Sequence, residues 1–368
     1  MRIFTKGLFF ASGLFLFLFS PFIRAQNISR NSPFDFKKQV NISGLFYLAG
    51  QYRTFDTTQQ FNFQVRRAYL TVQAQLTKNL SVRYTHDITI DNEGGDAGNI
   101  ELRIKYLYAR YAFPSFWIFT GSSVKFGIIQ RPWIDYEEHI NAYRVQGAMF
   151  MERSQLFNSS GFGLSVEGHF GGQLEDAYVK NVHPRDKGKY GSFILGIYNG
   201  GGYHQFEKNL NKNFEIRLSL RPFPGKFPGL MVSYTGLFGQ GNIQECPEFH
   251  LNAGFVSYQS RFFTLTAQYE KGLGNSYGTL VDTAFRALPH KGYSFYTEVK
   301  IPKTKWALYG RYDHFQLTGI KGKINRRQIY GISWRFFEQN KLVFSYQRNK
   351  PFDRPVTHSY DMALDISF

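Results

Sequence analysis

The segment from Gln130 to Ser160 carries both charge signs at close spacing: Arg131, Asp135, Glu137, Glu138, His139, Arg144, Glu152 and Arg153. Fixed charges of both signs suit the narrowest point of a channel, where rings of charge discriminate ions most strongly. On an exposed loop the same residues would simply be solvated. A second set, Arg67, Arg83, Arg103, Lys105, Arg217, Arg221, Arg335 and Arg348, falls on or near the polar face of alternating segments. Guanidinium groups on a wet surface attract anions and grip phosphate through paired donors. These bases outnumber the neighbouring acids Asp87, Glu215 and Glu298. Some of them would instead pair across strands and stiffen the wall.

Other chemistries find little support. The nine His residues show no zinc-ligand spacing, so no metal or cofactor is expected. Gly94-Gly95, Gly171-Gly172 and Gly200 to Gly202 lack the Lys-Ser/Thr of a phosphate loop and read as turns. His139 and Ser154 could suggest a hydrolase, but no nucleophile motif surrounds either, so no enzyme is expected.

Strands must position these groups. Over Leu80–Ile90, Leu80, Val82, Tyr84, His86, Ile88 and Ile90 oppose Ser81, Arg83, Thr85, Asp87 and Thr89. Period two over such a length suits a tilted membrane strand better than a soluble one. The pattern recurs from Arg67 to Leu76, from Phe214 to Arg221 and near Ile332. It predicts about sixteen strands between residue 40 and the terminal Phe368. Connections tend to alternate. Thr77–Asn79, Pro114-Ser115 and Glu338–Asn340 are tight, whereas Asp91–Asn99, Asn199–Lys212, Gly239–Pro247 and Leu273–Pro289 are long and Gly-rich.

Of the 368 residues 18% are aromatic, with 39 Phe and 24 Tyr, while mean hydropathy is −0.34. Strands with one face in lipid and one in water account for both facts, because rings gather at membrane interfaces. After Ala25 no stretch is apolar enough for a membrane helix, and only a closed barrel otherwise satisfies the backbone in lipid. Arg2 and Lys6 before the apolar run Gly7–Ile23 predict a signal peptide over 1–25, followed by a tail over 26–39 and a barrel over 40–368. An uncleaved N-terminal anchor is the alternative. Cys246 is the single cysteine, so no internal disulfide forms. The net charge is +17, and three of those charges would leave with residues 1–25, so +14 would remain. For an exported chain such an excess points to anionic lipid, including lipopolysaccharide, or to small anionic solutes, and not to nucleic acid.

Phe63-Gln-Val-Arg-Arg-Ala-Tyr-Leu70, Leu102 to Tyr111, Phe126 to Trp133 and Phe150-Met-Glu-Arg-Ser154 resemble segments of the phosphate-selective porin O and P family. Tyr360, Met362, Leu364, Ile366 and the terminal Phe368 resemble the assembly signal of bacterial outer-membrane barrels. The resemblance implies a bacterial outer-membrane homotrimer. The expected molecule is an all-β transmembrane antiparallel barrel whose 130–160 loop is a candidate to enter the lumen. It would pass small hydrophilic solutes with an anion bias. A phosphate or polyphosphate channel and a non-conducting structural or adhesive barrel are the alternatives.

Overall fold

The structure, a computed structural model, describes residues 35–90, 98–181, 186–203, 205–320 and 322–368. The chain divides into two units, residues 1–36 and the barrel body of residues 37–368. The expected signal peptide, most of the expected tail and most of the Asp91–Asn99 connection lie outside the described residues.

Sixteen strands form the body: β1 (Val40–Phe55), β2 (Thr58–Gln75), β3 (Leu80–Ile90), β4 (Ile100–Ala112), β5 (Phe119–Gln130), β6 (Ser160–Phe170), β7 (Gly191–Asn199) and β8 (Lys212–Leu220). They continue with β9 (Leu230–Gln240), β10 (Glu248–Gln259), β11 (Phe263–Leu273), β12 (Pro289–Lys300), β13 (Trp306–Leu317), β14 (Ile324–Phe337), β15 (Asn340–Lys350) and β16 (Thr357–Ser367). Each pairs antiparallel with its sequence neighbour, and β1 pairs with β16 to close the barrel. Closure removes every open edge, as a backbone in lipid requires. At the seam Gly44 and Phe368 exchange both backbone hydrogen bonds. The Phe368 ring packs over Gly44, where an added Cβ would stand 2.4 Å from it and turn it aside.

The chain termini of the barrel meet at one end, the terminal end, and the opposite end carries most of the long connections. Two connections depart from the expected alternation. The β1–β2 turn at the loop end is only Asp56 and Thr57, with Asp56 at φ 52, a left-handed position that Asp tolerates. The β6–β7 connection at the terminal end is long and contains a helix, Asp176–Asn181. Buried Arg221 holds it by donating to the Gly188 and Asp186 carbonyls.

Alternation sorts most strands as the sequence predicts. On β3, Arg83, Thr85 and Asp87 face the lumen, and Thr85 meets Thr71 of β2 at 2.9 Å. Register shifts occur at Thr120/Ser123 and at Arg335/Phe337, and two further bulges re-aim lumen bases. Between Tyr47 and Leu48 the register shifts, so Arg66 and Arg67 of β2 both turn inward. A second shift opposite Thr85 and His86 turns both Lys105 and Tyr106 of β4 inward and reverses the parity beyond them.

β10 inverts the usual arrangement. Phe249, Leu251, Ala253 and Phe255 face the lumen, fully buried, while His250, Asn252 and Gly254 face outward. An apolar lumen face needs an apolar partner, and the β5–β6 loop supplies it.

Candidate pore constriction

The loop between β5 and β6 folds inside the barrel. It opens with α1 (Pro132–Ile140), which starts at a proline in its first turn, with Asp135 near its N-terminus and His139 in its last turn. Trp133, Ile134, Tyr136, Glu137 and Ile140 form its buried side; Asp135, Glu138 and His139 stay half-buried on the other. A 3-10 turn (Arg144–Gln146) and α2 (Phe150–Arg153) follow.

The dry side of the loop builds two apolar clusters. Trp133, Ile134, Ile140, Met149, Phe150, Met151, Leu156 and Phe157 pack on Leu237, Phe249, Leu251 and Phe255 of β9–β10 and on Phe315 and Leu317 of β13. Trp133 meets Phe255 edge-on at 5.2 Å, and Tyr136 shares a 2.9 Å hydrogen bond with Ser233. Further along, Tyr143 and Val145 join Tyr47, Tyr296, Tyr309, Ile329 and Val343. Tyr143 stacks on Tyr309 at 3.7 Å and donates to Glu298 at 2.9 Å. Burial of each large apolar side chain stabilises by roughly 1.5–3 kcal/mol. These apolar contacts hold α1 and α2 against the wall, and the buried Arg131–Glu215 pair ties down the base of the loop.

Arg144 is the loop's internal hub. It donates to both Glu152 oxygens, at 2.6 and 3.0 Å, and pairs with Glu138 at 2.9 Å. Burial alone would raise the Glu152 carboxyl, but Arg144 and Arg67 outweigh it and hold the group near 2. Glu137 sits on the dry side and accepts from the Trp133 indole at 2.9 Å. Burial pushes its carboxyl up to about 7. Burial likewise raises Glu138, against the pull of Arg144.

The wet side faces β3–β8. A cavity of about 310 Å³ lies there, lined by Arg83, Arg110, Lys125 and Arg217 on the wall and by Asp135 and His139 on α1. Glu167 accepts from Lys125 at 2.8 Å and from Ser123 at 3.0 Å, and lies 3.8 Å from Arg110. A second cavity of about 550 Å³ opens toward the loop end, with Arg53, Arg153, Arg327 and Arg354 around it. Burial, with Arg327 and Arg311 nearby, pushes the Arg153 guanidinium well below its ordinary value.

The predicted residues take different positions. Asp135 lines the wet cavity, and Glu138, Arg144 and Glu152 form one ion network that Arg67 joins at 3.8 Å. Arg131 is fully buried in an ion pair with Glu215 at the loop's base, away from open water. Arg83 lies over the Tyr106 ring at 4.6 Å, Arg103 pairs with Asp87 at 3.5 Å, and Lys105 donates to Tyr69 and to Ser159 of the loop. Arg217 lies over Tyr136 at 4.5 Å. Arg221 is buried beneath the β6–β7 connection, and Arg335 lines a separate cavity at the terminal end.

Arg348 corrects the expectation of a lumen base. It shares the outward parity of Phe344 and Tyr346 on β15 and lies opposite His358, whereas Asn349, beside it, turns inward to accept from Arg327. Arg66, Arg110, Lys125, Arg311 and Arg327 are further lumen bases, beyond those that alternation predicts. The doublet Arg66-Arg67 and the pair Lys105-Tyr106, each a break in alternation, were the available signals for the bulges.

No family model and no curated protein matches the chain. Solved structures do. The anion-selective porin from Comamonas acidovorans is 9% identical and aligns over 89% of this chain and 99% of its own, with a TM-score of 0.59. OmpT, an outer-membrane protein of Vibrio cholerae described in a trimer form, is 9% identical over 90% and 100%, with a TM-score of 0.56. A triple mutant of the Rhodopseudomonas blastica porin is 11% identical over 89% and 100%, with a TM-score of 0.54. At such identities the likeness is one of fold, that of the closed sixteen-stranded barrel described above.

Proposed function

We propose that the protein is a bacterial outer-membrane porin through which small hydrophilic solutes diffuse, with a preference for anions. One observation carries this reading. The inserted loop is fixed to one side of the wall by apolar contacts and presents Asp135 and Glu138 toward a wall rich in Arg67, Arg83, Lys105, Arg110 and Lys125. Bases outnumber acids around both lumen cavities. Solutes would be sorted by width and by charge, with no bond made or broken. The terminal end would face the periplasm and the loop end the exterior, after export by the predicted signal peptide. The trimer form described for OmpT supports a homotrimer.

Arg53, Arg153, Arg327 and Arg354 around the loop-end cavity favour a second reading, a channel specialised for phosphate or polyphosphate. The reach of the loop across the lumen, from Glu215 on β8 to Gln347 on β15, favours a third, a non-conducting structural barrel.

Swelling of protein-loaded liposomes in small sugars and in sugar acids of equal mass tests the proposal. Entry of both, with the acids faster, is expected. No swelling and no conductance from a correctly folded barrel would leave only the structural reading.

A further inference from the structure

The outward face of β11–β16 has an uneven charge distribution. Its outward residues include Lys271, Lys291, Arg326, Arg348 and Lys350, all near the loop end, and no Asp or Glu; the acids of these strands, Glu270, Glu298, Asp313, Asp361 and Asp365, point inward. Within this row Lys271 lies directly opposite Lys291, and Arg326 directly opposite Lys350. Like charges facing each other across strands are destabilising. All four side chains are exposed, and among the described residues none makes a salt bridge. The polar surface extends onto β10, where Asn252 lies opposite Lys271 and accepts a 2.6 Å hydrogen bond from Tyr234.

Below the lysines lies a row of outward tyrosines. Tyr269 and Tyr293 are the next outward residues under Lys271 and Lys291; Tyr293 and Tyr312 have ring centroids 6.0 Å apart, and Tyr346 and Tyr360 are 5.2 Å apart. Such rings settle at a headgroup level. Beneath them a groove of about 550 Å³ runs over Gly254 and Ala267, between Val232, Val256, Tyr293 and Phe295. Gly254 leaves it open, since a Cβ there would meet nothing within 4 Å.

We propose that this face binds a phosphate-bearing lipid of the outer leaflet, with two phosphates on the two like-charge pairs and an acyl chain in the Gly254–Ala267 groove. The inference rests on the outer-membrane reading above. Charge complementarity selects the occupant: each pair of cations needs an anion between them, and the groove below needs a chain. The pairs stand three strand spacings apart, roughly 14 Å, which is too wide for one phosphate to bridge. The ligand is therefore a multi-acylated lipid with two phosphates.

The test measures lipid retained by the purified full-length barrel after gel filtration in detergent. The probes are bisphosphorylated lipid A, its monophosphorylated form, phosphatidylcholine, and inorganic phosphate alone. Bisphosphorylated lipid A should be retained at least tenfold better than phosphatidylcholine, with the monophosphorylated form between them. The variant K271Q/K291Q/R326Q/K350Q should lose that advantage. Gly254→Leu fills the groove without disturbing the wall and should weaken retention on its own. Equal retention by the fourfold variant, or equal retention of phosphatidylcholine, would overturn the proposal. So would a rise in thermal stability from inorganic phosphate matching that from lipid A, because the site would then take a free anion. Conductance of the same variants should match the parent, since the residues face outward. Lipid retention by a barrel that never conducts would sink the channel reading and leave this one standing.

Discussion

The lumen faces of β9, β10 and β13 meet the inserted loop with Leu237, Phe249, Leu251, Phe255, Phe315 and Leu317. Those of β2–β5 meet it with Arg67, Arg83, Lys105, Arg110 and Lys125. One loop thus has a dry attachment and a charged free side. Apolar contacts hold one side of the loop to the wall, and ion pairs brace its interior and its base. Apolar burial fixes α1, while Asp135 lines the wet cavity and Glu138 is held by Arg144.

Breaking the dry side should have the largest effect. Trp133→Ala with Phe150→Ala removes two fully buried rings, each worth about 3–5 kcal/mol when truncated in a core. The loop should detach, single-channel conductance should rise, and protease should cut between residues 131 and 159 while the barrel persists. An unchanged, protease-resistant loop would contradict the assignment of its anchor.

A smaller effect should follow from proton binding on the same side. Glu137 has its carboxyl raised by burial to about 7 from an ordinary 4.5. The docked loop therefore holds a proton that the undocked loop releases between these values. Docking should be tightest below about pH 4.5 and weaken as pH rises through 7, by on the order of 3 kcal/mol. Protease sensitivity of the loop measured from pH 5 to pH 8 should increase, and Glu137→Gln should flatten that profile. Equal slopes in the two proteins would place the titration elsewhere.

The charged side sharpens the comparison from the other direction. Arg83→Gln with Lys125→Gln should reduce anion preference several-fold while leaving the loop protected from protease. Arg348→Gln, on the outward face, should leave ion preference unchanged, and this is the smallest effect expected. A loss of selectivity in the Arg348 variant equal to that of the lumen pair would reject the assigned faces.

Much of this arrangement is legible in the sequence, and the exceptions have physical causes. Period-two runs such as Leu80–Ile90 locate strands because one face meets lipid and the other water. That rule assumes a wet lumen, so it misreads β10, whose Phe249, Leu251 and Phe255 are covered by the loop. It also fails beyond a bulge. Counting by twos through Arg66-Arg67 or Lys105-Tyr106 assigns the wrong face, so Arg66 and Arg110 read as outward. The charges of residues 131–153 marked the loop correctly as unusual, but charge alone does not distinguish a buried tie from a pore-facing group. Arg131 and Asp135 look equivalent in sequence; only the contact with Glu215 separates them. The outward position of Arg348 is legible in its parity with Phe344 and Tyr346 on β15; its charge alone suggests the lumen.

The central claim is a basic, water-filled constriction, and the reversal potential of the purified protein in a planar bilayer across a KCl gradient tests it most directly. Stable channels with a potential that favours chloride are expected, moving toward zero in the Arg83→Gln, Lys125→Gln variant. A potential that favours potassium in the parent protein would contradict it.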